Sequence, residues 1–313
     1  MSSDIYISAI VPVSQRTQDT AELAKDYIAV LDSIDPNFEI LFVVDGDKPK
    51  IFNSLQELAA KDQRVRIIKF AISFGEATAI SAGFRYSKGQ VILTLPAYYQ
   101  VEPGSIKTLV DTLDNCDMAV AHRCPRAQKS AFEGYRRRLF HWLIKVSSGE
   151  SFSDLGCAAR AIKREVLEEI PLYGEQHSFL PLLASRQGFR VKEVPIAQSS
   201  RDSFEGRYSA KIYLHRFLDI FSVVFLVRFT RKPIRFFGMI GSITFMFGAL
   251  SLLYVIVQRL FFNMPLADRP ALLVSSLLTV LGLQIFALGL LGELIIFTHA
   301  REMKEYKIEK IIN

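Results

Sequence analysis

Phe236 to Gln258, FFGMIGSITFMFGALSLLYVIVQ, runs for 23 residues without a charge, and no other feature constrains the fold of this chain as strongly. A helix of that length reaches roughly 34 Å at about 1.5 Å per residue, enough to cross a hydrocarbon core. A second uncharged run, Ala271 to Gly292, continues past Glu293 as LIIFTHA. Both runs are predicted to be transmembrane helices. They leave a long N-terminal region as a separate domain. The expected layout is a cytoplasmic domain over 1–208, amphipathic juxtamembrane helices over 209–234, a two-helix membrane domain over 235–300 and a tail over 301–313.

The flanking charges give an orientation. Arg228, Arg231, Lys232 and Arg235 precede the first span, and Arg301, Lys304, Lys307 and Lys310 follow the second. The connecting RLFFNMPLADRP carries Arg259 and Arg269, with Asp268 opposing them. The positive-inside rule then places both termini in the cytoplasm of an inner (plasma) membrane protein. The N-terminal MSSDIYISAIVPV lacks a basic n-region and a long apolar core, so it is read as a strand and not as a cleaved signal. Glu293 sits near the cytoplasmic end of its run and is read as a structural or oligomer-contact residue.

A net charge of +6 and a pI near 9.1 suit work against anionic headgroups or a phosphorylated lipid. No basic helix or aromatic-basic motif points to nucleic acid, so none is expected as a partner. Cys116, Cys124 and Cys157 are not spaced as a metal site or a disulfide framework, and reduced thiols are expected.

Strand and helix signals alternate through the first 125 residues. IYISAIVPV, FEILFVVDG, VRIIKF and VILTL read as buried strands, separated by DTAELAKDYIAVLDSI, IFNSLQELAAKD and FGEATAISAGFRYS at helical spacing. A further helix is predicted from about Pro103, and DMAVAHR as a strand. YRRRLFHWLIKVSS reads as a basic helix, DLGCAARAIKREVLEEI as turn, strand and helix, HSFLPLLASRQ as a helix and FRVKEVPIAQ as the last strand. This pattern predicts an α/β fold with a mostly parallel sheet covered on both faces. Ligands of such sheets bind beyond the carboxyl ends of the strands. Pro12–Ser14, Asp45–Asp47, Phe74–Glu76 and Pro96–Gln100 are therefore expected around one cleft.

The order AIVPV, FEILFVVDG, FGEATAISAGFRYSKGQVILTL, DLGCAARAIKREVL and RYS, with paired C-terminal spans, resembles the polyprenyl-phosphate glycosyltransferases of family 2. That group includes dolichol-phosphate mannose synthase and the bacterial aminoarabinose-type transferases acting on undecaprenyl phosphate. SDLGCAARAIKREV and EQHSFLPLLASRQGFRVKEVPI resemble the aminoarabinose type most. The resemblance covers nearly the whole chain. It implies a GT-A, Rossmann-like domain that moves a sugar from a nucleotide-sugar to a lipid phosphate, working with Mg2+ or Mn2+ held by an Asp-x-Asp motif, and a homo-oligomer built through the membrane segments.

Set against that pattern, the family's VPVYNE appears as VPVSQR, its VDDGS as VVDGD with Val44 in the first acidic place, and its DADLQD as PAYYQV. Pro96 and Tyr98 fill both metal-ligand places and Val101 the following acidic one, while Ala97 and Gln100 match. A tyrosine cannot replace a carboxylate toward Mg2+ at neutral pH, because its pKa is about 10. No metal ligand is therefore assigned. The resemblance implies donor binding by Pro12, Val13, Asp45, Gly46, Phe74, Gly75 and Ala97, with Asp154, Gln100 and Tyr98 at the reacting centre. On the acceptor side HRCPR keeps Arg123 and Arg126, RRR supplies Arg137, and Arg201 with EGRYS supplies Arg207, all assigned to the lipid phosphate. With the metal ligands gone, the leaving group's charge would fall to Arg16, Lys48 or these arginines, helped by the Tyr98 and Tyr99 hydroxyls. The competing reading is a catalytically inactive relative that binds lipid phosphate or partners an active subunit. His177 is read as structural.

Overall fold

The structure is a computed structural model, describing residues 5–14, 16–125, 152–170, 176–202, 233–262 and 270–299. Described residues up to Asp202 belong to one compact unit and those from Pro233 onward to a second.

The first unit opens with β1 (Ile7–Val13), α1 (Thr20–Ile34), β2 (Phe38–Val44), α2 (Pro49–Lys61), β3 (Val65–Lys69), α3 (Glu76–Tyr86) and β4 (Val91–Thr94). After a 3-10 turn at Pro103–Ser105 come α4 (Ile106–Thr112) and β5 (Met118–Arg123). Then follow β6 (Arg160–Lys163), α5 (Arg164–Glu169), α6 (Leu180–Arg186) and β7 (Val191–Ile196). The alternation read from the sequence is present, and each predicted strand up to Arg123 has formed within a residue or two of its expected place.

These segments fold as they do for local reasons. All seven residues of β1 and of β2 are buried, so both strands are apolar on both faces, as a central parallel strand requires. Along α1, Leu23, Ala24, Tyr27 and Leu31 recur at helical spacing and form its buried stripe. The Asp19 carboxylate accepts from the N–H groups of Ala21 and Glu22, which caps the first turn. Pro49 stands in the first turn of α2, where its missing N–H costs nothing.

Seven strands lie in the order β3-β2-β1-β4-β6-β5-β7. β1 runs parallel to β2 and β4, β2 to β3, and β5 to β7, while β6 runs antiparallel between β4 and β5. Two apolar clusters cover the sheet, one around Leu23, Tyr27 and Phe42, the other around Ile10, Ile92 and Ile162. The chain order reverses between β1 and β4, since β2 and β3 lie on one side of β1 and β4 on the other. In a parallel sheet that reversal opens a crevice at the carboxyl ends of the two strands.

The second unit is a helical hairpin. A π-helical turn at Ile234–Gly238 leads into α7 (Met239–Phe262), and α8 (Pro270–His299) returns. Two segments, Ile234–Phe261 and Pro270–Ile295, are long and apolar enough to cross a membrane, with mean hydropathies of 2.1 and 2.2. Large apolar side chains such as Phe247, Leu260, Phe261, Leu273 and Leu277 are exposed along both. Where the helices touch they come very close: a Cβ on Gly282 would lie 2.3 Å from the Phe245 nitrogen, so that position admits no side chain. The Glu293 carboxylate accepts from the Ile234 N–H at 3.5 Å and closes the start of the first span, within the structural role expected of it. The basic helix over 135–148 and the juxtamembrane segment 209–232 lie outside the described residues.

Candidate functional site

The crevice between β1 and β4 is walled by the strand-end segments singled out in the sequence. At the end of β1, Pro12, Val13 and Ser14 are buried. Lys48, just before α2, donates to the Val13 carbonyl at 3.0 Å and to the Ser14 carbonyl. Burial pulls the Lys48 ammonium below the usual lysine value, with the Asp45 carboxylate opposing.

Asp45 follows β2 and is buried. Its carboxylate accepts from the Ser73 hydroxyl at 2.7 Å, the Phe74 N–H at 2.7 Å and the Gly75 N–H at 3.2 Å. Gly46 and Gly75 have φ of +82° and +92°, the left-handed region that favours glycine, and these turns bring the two loops together. Asp45 thus fastens the entrance of α3. Phe74 is 55% exposed at the cleft rim, edge-on to Phe70 at 5.5 Å between ring centres.

The segment Pro96–Val101 is sewn into its surroundings at every residue. The Tyr27 hydroxyl donates to the Pro96 carbonyl at 2.9 Å, and the Gln18 N–H to the Ala97 carbonyl at 3.1 Å. Tyr99 donates its N–H to Gln18 at 2.7 Å and its hydroxyl to Asp26 at 2.7 Å. Gln100 donates to the Tyr98 hydroxyl at 2.7 Å and the Gly156 carbonyl at 3.2 Å, and accepts from the Ala158 N–H at 2.8 Å and the Cys157 thiol at 3.4 Å. Val101 forms an antiparallel bridge with Gln198. What would be a metal-binding strand end is here a junction joining the first helix, the 154–158 turn and the 197–202 segment.

Each tyrosine of this junction lies under an arginine. The Arg16 guanidinium stands 3.8 Å from the Tyr98 ring centre, and that of Arg201 4.4 Å from the Tyr99 ring centre. Arg16 is ion-paired with Asp202, whose carboxylate also accepts from the Gln198 amide at 2.7 Å. Arg201 pairs with Glu22 at 3.1 Å and Asp26 at 3.4 Å on the surface. Burial pushes the Tyr98 hydroxyl well above the usual phenol value, against the pull of Arg16 and Arg123. Tyr99 is shifted the same way by burial and by its bond to Asp26. Both are neutral phenols at physiological pH.

On the far side of the junction, Arg123 ends β5 and meets Asp154. Nε donates to Oδ2 at 2.6 Å and Nη2 to Oδ1 at 2.9 Å, a two-pronged pair with the carboxylate 2% exposed. Burial works against the Arg123 charge, but Asp154 outweighs it and the guanidinium pKa rises. The thiol of Cys157 is pushed up to about 11 by burial. Beneath lies Arg160, fully buried on β6, which donates to the carbonyls of His177 at 2.5 Å and Leu155 at 3.4 Å. Burial and the Arg160 charge lower His177 to about 3, so its imidazole is neutral. Glu76 lies 3.8 Å from its Nε2, too far for a hydrogen bond.

The described residues do not fit a divalent cation. Among the described residues no group of three or more His, Cys, Asp or Glu could hold one. The nearby acids diverge: Asp45 is closed by three donors, Asp47 is exposed beside Lys69 at 3.6 Å, and Glu102 accepts from the Ser200 N–H at 3.1 Å.

Of the sequence-assigned residues, Pro12, Val13, Asp45, Gly46, Phe74, Gly75, Ala97, Tyr98, Gln100, Arg123, Asp154 and Arg201 are described, and Arg126, Arg137 and Arg207 lie outside the described residues. Arg201 stands on the Tyr99 side, and Arg123 on the Asp154 side, of the same junction. Gln18, Asp26, Asp202 and Arg160 were not singled out. For Arg160 a signal existed, a lone charge inside the apolar AARAI; for the other three none did, since their partners lie far away in sequence.

A family model described as "Glycosyl transferase family 2" matches residues 8–171. Over 311 residues, 98% of this chain and 94% of the relative, the chain is 29% identical to the undecaprenyl-phosphate 4-deoxy-4-formamido-L-arabinose transferase of Edwardsiella ictaluri. It is 28% identical over 310 residues to the transferase of the same name from Proteus mirabilis, again covering 98% and 94%. Among solved structures it is similar to a mannosyltransferase from Pyrobaculum calidifontis in complex with GDP-Man and Mn2+, with a TM-score of 0.51 and 14% identity over 95% of this chain and 79% of that one. It is also similar to glucosyl-3-phosphoglycerate synthase from Mycobacterium tuberculosis in complex with Mn2+ and UDP-Glc, with a TM-score of 0.51 and 16% identity over 71% and 78%. At such identities the likeness to these structures is one of fold.

Proposed function

The chain belongs to glycosyl transferase family 2 and has a GT-A-like α/β unit, and on that premise we propose that it transfers a sugar from a nucleotide-sugar to a polyprenyl phosphate without an Asp-x-Asp metal site. The observation that carries this reading is the extent of the match to undecaprenyl-phosphate sugar transferases. It spans 98% of the chain and so includes both the α/β unit and the apolar hairpin. An acceptor with a long hydrocarbon tail presents its phosphate at the bilayer surface, and a hairpin anchor keeps the transferring unit there. In this reading the protein is an inner-membrane homo-oligomer with two spans and both termini cytoplasmic. The domain over 1–208 carries the chemistry and the helices over 209–234 lie at the interface.

The reaction asks little proton chemistry of the protein. A lipid phosphate oxygen forms the new bond to the anomeric carbon, and the bond from that carbon to the nucleotide phosphate breaks with its electron pair. The acceptor is already an anion, so it needs orientation and charge compensation more than a base. Asp154 holds Arg123 in one bidentate geometry, and a guanidinium so held suits an incoming phosphate. Arg201, with Arg126, Arg137 and Arg207, adds positive charge on the acceptor side. Mg2+ or Mn2+, where a relative binds it, neutralises the departing diphosphate; the described residues do not fit that ion, and no step is assigned to it.

Transfer assays on the full chain in detergent, with undecaprenyl phosphate and a panel of nucleotide-sugars, test the reading. Product formed equally with and without chelator supports it; absence of product with every donor counts against it.

A second reading is favoured by one observation: Arg16 and Arg201 are both paired with the protein's own carboxylates and stacked on Tyr98, which fills a metal-ligand place, and on its neighbour Tyr99. That is how a relative that has given up transfer, and binds lipid phosphate or an active subunit, would fill its cleft. Recovery of metal-dependent turnover in a Pro96→Asp, Tyr98→Asp double variant would support lost chemistry, and efficient turnover by the unmodified chain would refute it.

A further inference from the structure

The reversal of strand order between β1 and β4 fixes where an anionic ligand would meet this sheet, and two residues stand at that point. Arg16 follows β1 and Tyr98 follows β4, with the guanidinium 3.8 Å from the ring centre. Nearby cations are committed otherwise. Lys48 holds two carbonyls of the β1 end, Arg123 is bound to Asp154 and serves the acceptor phosphate in the transferase reading, and Arg201 lies over Tyr99 beside two surface acids. Arg16 also faces a buried carboxylate, the Asp202 side chain at 2% exposed, fixed by the Gln198 amide at 2.7 Å and ion-paired with the guanidinium, but its own side chain is 29% exposed where that of Arg123 is 7%. An anion thus sits, built in, on the cation at the mouth of the crevice.

Resting on the reading of the protein as a nucleotide-sugar transferase, we propose that Arg16, stacked on Tyr98, is a fixed cation that binds the phosphate groups of a nucleotide without a divalent ion, and that Asp202 is the internal anion this phosphate displaces. The chemistry favours the exchange. A guanidinium matches phosphate oxygens as it matches a carboxylate, and a phosphate brings more charge to it. The aromatic face holds the guanidinium in place while its anionic partner changes, as a neutral ring attracts a cation whichever anion it carries. Tyr98 is then a positioning residue, which explains an aromatic ring where a metal-dependent relative needs an acid. Gln100, donating to the Tyr98 hydroxyl and bonded to Gly156 and Ala158, fixes the ring.

Arg16 and its carboxylate partner predict opposite effects, which gives the test its power. Binding of UDP and of inorganic pyrophosphate to the full chain in detergent is measured by calorimetry, in chelator and in Mg2+. Both ligands are expected to bind equally in the two conditions. Arg16→Gln is expected to weaken UDP binding about tenfold or more, and Asp202→Asn to tighten it severalfold. Arg16→Lys keeps the charge but not the planar stack and is expected to fall between wild type and Arg16→Gln. A thermal melt on each variant separates misfolding from lost binding, with Arg16→Lys as the folded reference. The proposal is overturned by binding that requires Mg2+, by wild-type affinity in Arg16→Gln, or by an Asp202→Asn variant weakened as much as Arg16→Gln. Absence of UDP binding by the wild type overturns it as well. Failure of the transferase reading shows differently: UDP binds without metal, yet no nucleotide-sugar yields a lipid product.

Discussion

The two sides of the Pro96–Val101 junction solve the same problem, how to hold positive charge in a crevice, with different partners. On one side an acid survives, Asp154, and it grips Arg123 through two hydrogen bonds in a dry environment. On the other side the acids expected from the sequence pattern are replaced, and Arg16 and Arg201 rest on the faces of Tyr98 and Tyr99. A buried carboxylate is retained where removing it would strand a buried cation. Where the family pattern would place a dissociable ion, Pro96 and Tyr98 fill the ligand places and side chains carry the charge. The difference teaches that the first pair is fixed by folding, while the second is adjustable by ligand.

That contrast can be broken most directly at Asp154. Asp154→Ala leaves the Arg123 guanidinium buried without its partner and is expected to cost about 3–5 kcal/mol of stability, read as a lower denaturation midpoint of the full chain in detergent. A loss below about 1 kcal/mol would place both sides in the same class. Next in size is Gln100→Leu, which deprives the Ala158 N–H and the Gly156 carbonyl of their partner while keeping the volume. About 2–4 kcal/mol is expected, at one to a few kcal/mol for each buried group left unbonded.

Acid sharpens the comparison from beneath, through His177. Its folded pKa of about 3 lies below the ordinary value near 6.5, so the unfolded chain binds a proton that the folded chain refuses. The stability this group confers is complete above about pH 6.5 and falls as pH drops toward 3, by up to about 1.4 kcal/mol per pH unit. Denaturation midpoints across that window should fall less steeply in His177→Asn than in wild type; equal slopes would mean that the imidazole is not held neutral by burial and Arg160. A smaller effect, about 1 kcal/mol, is expected from Tyr27→Phe, which removes the hydroxyl bonded to the Pro96 carbonyl. The smallest belongs to Arg201→Gln. This pair lies on the surface, is screened by solvent and salt, and should change stability by less than about 1 kcal/mol while weakening any acceptor-side phosphate contact.

Much of the α/β unit was legible because its central strands are buried on both faces. ISAIVPV and FEILFVV are almost unbroken apolar runs, and such runs declare themselves without a partner in view. The antiparallel insertion of β6 between β4 and β5 was not legible, since RAIK carries no mark of the strands that will flank it. At the site, PAYYQV announced the loss of metal ligands directly. It could not announce what the tyrosines do instead, because Arg16 and Arg201 approach them from segments far away along the chain. Asp45 carried a pattern that suits both a ligand contact and a turn, and its three donors from 73–75 are a tertiary fact.

The close approach at Gly282 has a mechanical consequence for the hairpin. With 24 residues in α7 and 30 in α8, the helices are about 36 Å and about 45 Å long, against a hydrocarbon thickness of about 30 Å. A lone helix of excess length leans independently in the bilayer. In a bilayer, two helices whose backbones touch would not slide past one another without opening that contact, so they would lean together, and a thinner or thicker membrane would turn the pair as a unit.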